Sequence, residues 1–241
     1  MRSVSGSLPK PMLSVAKRPF LEYLILSLAR YGFRRLIIST GHRAAAITQY
    51  FEDGSRFGVS ITYEEESSPL GTAGAIRAAA VGIGDDWFLA LNGDSYLDQD
   101  PNALLADANT HKALVTMALT RVDEAERFGS VVIGQDGWVS AIREKDPTPS
   151  VRTINAGIYA CSRQIIPWIG ASGPASFEQE TLPAIAGAHR LRGLLSRGYF
   201  VDMGTPESYE RLRRNPTPLL AAVRIEDGER VGAERPSGGR S

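Results

Sequence analysis

A chain of 241 residues, 43% of them hydrophobic, is long enough to bury a full core and suits one domain of α/β size. Lysine plus arginine and aspartate plus glutamate each number 27, so no net field favours nucleic acid or an anionic membrane, and any ligand must be recognised locally. The single cysteine, Cys161, excludes an internal disulfide, and with no membrane-length apolar run and no signal-peptide core after Met1, a reducing cytoplasm is the expected setting.

Pro9-Lys10-Pro11-Met12 predicts a rigid turn that places Lys10 between two residues of fixed φ. After Pro19, the residues Leu21, Leu24, Ile25, Leu28 and Tyr31 recur at helical spacing until Gly32, which predicts an amphipathic helix. Residues 36–40 read as a short buried strand, 44–51 as a helix stopped by Asp53-Gly54, and 59–63 as an alternating strand. Leu70-Gly-Thr-Ala-Gly74 opens an alanine-rich helix, and Phe88-Leu-Ala-Leu91 reads as a buried parallel strand that runs into Asn92-Gly93-Asp94.

Beyond Asp94 the pattern predicts a helix over 101–109 and a β-branched strand over 114–120. Residues 128–133 and 138–142 flank Asp136-Gly137, a strong hairpin signal. A strand over 154–160, helices over 165–169 and 177–186, strand-like runs at 191–195 and 199–202, and a helix over 206–213 complete the series. The alternation gives an α/β class: a doubly wound, mixed and mostly parallel sheet with a small β-hairpin insertion. One domain is expected over 1–214, with 215–241, rich in proline, glycine and balanced charge, as a mobile tail.

Asp94 lies just past a strand's carboxyl end, where open α/β sheets bind ligands, so its carboxylate suits a metal that meets phosphate, although Asn-Gly-Asp is also ordinary turn chemistry. Asp202 is a second strand-end acid. Should the two converge, they offer hard oxygen ligands to Mg²⁺, which keeps waters and substrate phosphates as its other ligands. Gly71 and Gly74 sit where a loop becomes a helix, which lets backbone approach a flat ligand and also serves plain helix entry. Glu144-Lys145 and Asn155-Ala-Gly157 combine an acid, a cation, an amide and open backbone, the donors and acceptors a phosphorylated sugar demands. Glu66 can accept from the N–H edge of guanine or stand as solvated loop. His42, His111 and His189 show no metal spacing and read as surface or capping residues.

In order and spacing, Pro9-Lys10-Pro11-Met12, Leu70-Gly-Thr-Ala-Gly, Leu91-Asn-Gly-Asp-Ser, Phe128-Gly-Ser-Val, Glu144-Lys145, Asn155-Ala-Gly and Asp202-Met-Gly-Thr-Pro resemble the sugar-1-phosphate nucleotidyltransferases. The likeness covers about residues 8–213 and is greatest to the guanylyltransferases of heptose and mannose 1-phosphates. It implies that Asp94 and Asp202 hold Mg²⁺, that Lys10 meets the triphosphate, and that Leu70, Gly71 and Thr72 border the base. It further implies that Gly129, Glu144, Lys145, Asn155 and Glu178 line the sugar-phosphate pocket. The partners so implied are a nucleoside triphosphate and a sugar 1-phosphate, with GTP as donor and a nucleotide-sugar and pyrophosphate as products.

Chains of that family open with a strand leading into a loop of the form Gly-Gly-x-Gly-Thr-Arg, and this sequence starts roughly where that loop ends. The resemblance places the missing first strand between the strand at 36–39 and the one ending at Asp94, so an opening in the sheet is expected there. A catalytically inactive homologue that binds nucleotide-sugar as a sensor is the alternative reading. A glycosyltransferase is a third, resting on Asp98-Gln-Asp100. Monomer and homo-oligomer both stay open.

Overall fold

The computed structural model describes residues 8–41, 44–123, 128–145, 152–170 and 172–224. A two-residue ladder, Ser14–Val15 against Arg18–Pro19, feeds α1 (Phe20–Arg30), which buries Phe20, Tyr23, Leu24 and Ile25. Next come β1 (Arg35–Thr40), α2 (Ala44–Phe51), β2 (Ser60–Glu65), α3 (Gly71–Ala80), β3 (Trp87–Leu91) and β4 (Ser95–Leu97). Helix α4 (Pro101–His111) starts where Asp100 Oδ1 accepts from Asn102 N at 2.9 Å, with proline at the first helical position. Then follow β5 (Val115–Val122), the hairpin β6 (Gly129–Ile133) and β7 (Val139–Lys145), and the long strand β8 (Arg152–Ser162).

The two helices expected over 165–169 and 177–186 are both present, though neither is α-helical throughout. The first is a 3₁₀ turn, Arg163–Trp168, and the second divides into a π-helical turn, Phe177–Thr181, and α5 (Leu182–Gly187). Pro167 and Pro183 stand at those places, and a proline withholds the N–H that would continue an α-helical ladder. The chain ends with β9 (Leu191–Leu195), β10 (Phe200–Asp202), α6 (Pro206–Arg214) and α7 (Thr217–Val223).

The largest sheet has the order β9-β5-β8-β3. Strand β9 runs parallel to β5, while β8 runs against both β5 and β3, so the sheet is mixed. Strands β1 and β2 pair in parallel apart from it, and β4 pairs antiparallel with β10. Strand β3 is hydrogen-bonded only to β8, and β1 only to β2, so among the described residues each keeps one edge without a strand partner. Arg35 pairs with Asp85 just ahead of β3, which brings the starts of β1 and β3 together. Burial shows the same opening: every residue of β3 is partly exposed, whereas β8 is buried from Ala156 to Ser162. The opening falls where the resemblance places the first strand.

Expectation and structure part at the domain boundary. The packed fold runs past 214, because Leu219, Leu220 and Val223 of α7 are buried in the same cluster as α1, and Arg30 Nη1 donates to Ala222 O at 2.8 Å. Prolines at 216 and 218 suggest a tail, yet both stand at the start of a helix, where proline is tolerated, and the apolar residues after them form it. The part of the expected tail from 225 to 241 lies outside the described residues.

A buried ion pair ties the hairpin to the sheet. Arg192 of β9 donates from Nε and Nη2 to the Asp107 carboxylate at 2.8 and 3.0 Å, and from Nη1 to Asp136 O in the hairpin turn at 2.7 Å. Burial pushes the Asp107 carboxyl up, but hydrogen bonds from Arg192 and Thr116 outweigh it and hold the group below the usual carboxylate range. A lowered folded pKa contributes stability above about pH 3.9 that is lost as pH falls below it. Asp107→Asn is therefore expected to narrow the drop in melting temperature between pH 7 and pH 3, and an unchanged drop would place that linkage elsewhere.

Candidate active site

Strand β3 ends at Leu91, Asn92 N donates to Gly157 O at 2.9 Å at the next position of its register against β8, and the turn that follows presents Asp94 beside the start of β4. The Lys10–Met12 turn lies over it: Pro11 would meet a Cβ at Gly93 at 3.2 Å, and Lys10 Nζ stands 3.9 Å from Asp94 Oδ2. Buried Met12 anchors this turn, so Lys10 is placed as expected. Both side chains of the pair remain partly exposed, 40% and 33%, and so open to a ligand.

Asp202 arrives from the other end of the chain. It stands opposite Ser95 in the β4–β10 ladder, and Met203 N donates to Asp94 O at 2.8 Å. The two strand-end acids thus lie on neighbouring backbone segments, although 108 positions separate them in sequence (202 minus 94). Asp202 Oδ1 accepts from Gly204 N at 3.0 Å, and Thr205 with Ser208 caps α6 just beyond, which holds this corner. Among the described residues no group of three or more acidic, histidine or cysteine side chains forms a metal cage. A pair of carboxylates fits Mg²⁺ better than a cage does, since that ion is usually held by one or two carboxylates plus substrate phosphates.

The loop at Leu70 is held by the protein itself. Glu66 Oε2 accepts from Leu70 N at 3.0 Å, Ala73 N donates to Ala175 O at 3.0 Å, and Ala175 N donates to Leu70 O at 2.9 Å. Gly71 has φ +71, and a Cβ there would lie 2.4 Å from Ala175 O, so its freedom serves close contact with the neighbouring backbone. Thr72 donates to Glu178 Oε2 at 2.7 Å and accepts from Phe177 N at 2.8 Å.

Asn155 and Gly157 lie in an irregularity of β8, where the register against β5 shifts between Asn155 and Tyr159. Gly157 has φ +78 and packs so closely that a Cβ would lie 2.8 Å from Ser95 Oγ, which fastens Asn-Ala-Gly onto the Asp94 turn. Gly129 pairs with Lys145 across the hairpin, which puts the backbone of the expected sugar-phosphate residues at one hairpin end. The side chains of Glu144 and Lys145 lie outside the described residues.

The Asp-x-Asp run is used structurally. Asp98 pairs with Arg30 at 3.4 Å and Asp100 caps α4, so both carboxylates of the glycosyltransferase reading serve the fold. His111 Nδ1 lies 2.9 Å from Asp107 O, and His189 stacks on Trp138 with ring centroids 4.6 Å apart. His42 lies outside the described residues. Sequence reasoning missed Tyr159, whose hydroxyl accepts from Asn155 Nδ2 at 2.7 Å and reaches Glu178 Oε1 at 3.4 Å. Burial, and next the Glu178 carboxylate, push its phenol well up. A single tyrosine inside an apolar strand gives no sequence signal for such a role.

Residues 1–217 match the family described as Nucleotidyl transferase. The chain belongs to the nucleotidyl transferase family. Mannose-1-phosphate guanylyltransferase of Mycobacterium tuberculosis is 36% identical over 241 residues, 97% of this chain and 67% of that protein. D-glycero-alpha-D-manno-heptose 1-phosphate guanylyltransferase of Aneurinibacillus thermoaerophilus is 35% identical over 89% of this chain and 92% of its own. The crystal structure of HddC from Yersinia pseudotuberculosis matches with TM-score 0.78 and 30% identity over 88% of this chain and 92% of its own, and that protein was also solved in complex with GMP-PN. For this nucleotidyl transferase the α/β fold is shared with those proteins; Lys10 pairs with Asp94, and the Asp202 strand end lies beside the Asp94 backbone.

Proposed function

We propose that the protein transfers a nucleoside monophosphate from a triphosphate, GTP by preference, to heptose or mannose 1-phosphate, releasing a nucleotide-sugar and pyrophosphate. The observation that carries this reading is the meeting of Lys10, Asp94 and the Asp202 strand end beside the Asn155-Ala-Gly157 segment. The substrate class is supported by the names of relatives that act on mannose 1-phosphate and heptose 1-phosphate.

In this reading an oxygen of the sugar 1-phosphate attacks the α-phosphorus in line, a new P–O bond forms, and the bond to the β-phosphate oxygen breaks with pyrophosphate leaving. No covalent enzyme intermediate is required. Lys10 meets the triphosphate and Lys145 the sugar's phosphate, gathering mutually repelling groups and offsetting charge on the transferring phosphoryl, so positioning and electrostatics supply most of the rate. Asn155 and Glu178 offer directional partners to sugar hydroxyls, and Leu70 to Thr72 border the base. Asp94 and Asp202 would hold Mg²⁺, which when bound neutralises phosphate charge and helps orient the triphosphate. Among the described residues no helix is long and apolar enough to cross a membrane.

The test offers the protein each of the four triphosphates with a panel of sugar 1-phosphates and assays released pyrophosphate; release with no pair would reject the reading only if none exceeds a protein-free control. Lys145→Met, which keeps most of the stem and deletes the charge, is expected to raise KM for the sugar 1-phosphate about tenfold with little change for the triphosphate. An unchanged sugar KM would remove Lys145 from that role.

A further inference from the structure

Five hydrogen bonds, all polarised one way or another toward Glu178, run from the sugar side of the site to the base loop. Gly157 N donates to Asn155 Oδ1 at 3.0 Å, which turns the amide so that Nδ2 donates to the Tyr159 oxygen at 2.7 Å. The phenol's own proton then points to Glu178 Oε1 at 3.4 Å. The other carboxylate oxygen accepts from Thr72 at 2.7 Å, and Phe177 N donates to Thr72 Oγ1 at 2.8 Å. Each group has its donor and acceptor roles set by the next.

Tyr159 is the fixed point of this chain. It is 1% exposed, and Phe177 packs edge-on against its ring at 5.0 Å and 87°. Glu178 rides on the π-helical turn Phe177–Thr181, a form that appears mostly as single turns and often at functional sites. Thr72, by contrast, is exposed on the first turn of α3, and its hydroxyl is oriented by Phe177 N and Glu178 Oε2.

We propose that Tyr159 is a positioning residue that couples the two substrate sides, so that nucleotide at the Leu70–Thr72 loop and sugar 1-phosphate at Asn155 and Glu178 tighten each other's binding. This rests on the functional reading above. A sugar that engages Asn155 or Glu178 polarises the Tyr159 hydrogen bonds and through Glu178 the bond from Thr72, so the nucleotide meets a Thr72 hydroxyl already held. Coupling of this kind is reciprocal: the factor by which one ligand improves the other is the same in both directions.

The experiment is calorimetric titration of the full chain with mannose 1-phosphate, and in parallel with heptose 1-phosphate, each without and with a saturating non-hydrolysable GTP analogue. The wild type is expected to bind mannose 1-phosphate at least about fivefold tighter with the analogue present. Tyr159→Phe deletes the hydroxyl, leaves the Asn155 amide without its acceptor, and is expected to weaken mannose 1-phosphate roughly tenfold and to erase the tightening. Thr72→Val cuts the chain at its exposed end and is expected to erase the tightening too, which decides the matter if Tyr159→Phe does not fold. Tightening kept in a folded variant, or absent from the wild type, overturns the inference. A wild type that binds neither mannose nor heptose 1-phosphate overturns the functional reading itself, whatever the variants do.

Discussion

Replacing Asp94 with asparagine is expected to lower kcat by about 10²- to 10³-fold in a catalytically active form while moving thermal unfolding little. The stability side follows from the contacts. Met203 N bonds to the Asp94 backbone oxygen, which the substitution leaves in place. The carboxylate's ion pair with Lys10 spans 3.9 Å between partly exposed groups, and such pairs contribute about 0–1 kcal/mol. The rate side follows from charge. An amide of the same shape is a poor ligand for a hard cation, and the loss falls on the transition state, where phosphate charge is redistributed. Asp202→Asn should behave alike, since an amide oxygen can still accept from Gly204 N. Measuring pyrophosphate release beside a melting curve checks both halves, and a fall in melting temperature that matches the fall in rate would make Asp94 a structural residue.

A form extended ahead of Met1 by an apolar strand and a Gly-Gly-x-Gly-Thr-Arg loop is expected to melt higher and to release pyrophosphate about 10³-fold faster than residues 1–241 alone. The stability argument rests on β1 and β3, whose starts are held together by Arg35 and Asp85 while each keeps an edge without a strand partner among the described residues. Strands pair about 4.8 Å apart, so one added strand would meet both edges, satisfy their backbone groups and cover the partly exposed side chains of β3. The rate argument rests on backbone donors. Each N–H given to a charged phosphate oxygen is worth about 1.5–3 kcal/mol, and three of them suffice for the expected factor. Equal melting and equal release by the two forms would show that the opening has no energetic consequence and that Lys10 serves the triphosphate without such a loop.

Much of this protein was legible in its residues because the physics involved is local. Helical spacing from Leu21 to Tyr31, apolar runs before Asp94 and Asp202, and the Asp136-Gly137 turn each depend on neighbours within a few positions, and each reappears as α1, β3, β10 and the β6–β7 hairpin. Lys10 between two prolines is the same kind of statement, and the turn at Lys10–Met12 bears it out. Local propensity gives helices at 165–169 and 177–186 but not their 3₁₀ and π forms, and it reads α7 as tail, because only burial against α1 makes Leu219 and Leu220 part of the fold.

What the tertiary structure alone decided is which residues meet. No periodicity announces that β8 runs against its neighbours, that Met203 hands its N–H to the Asp94 carbonyl, or that Thr72 and Glu178 share a hydrogen bond across 106 positions. Those contacts are set by strand order and by the packing of whole elements, terms that arise only once distant segments are brought to within hydrogen-bonding range. Composition and spacing therefore determined most of the elements and the resemblance supplied the candidate residues, whereas the pairing of Asp94 with the Asp202 strand end and the junction at Tyr159 belong to the folded molecule.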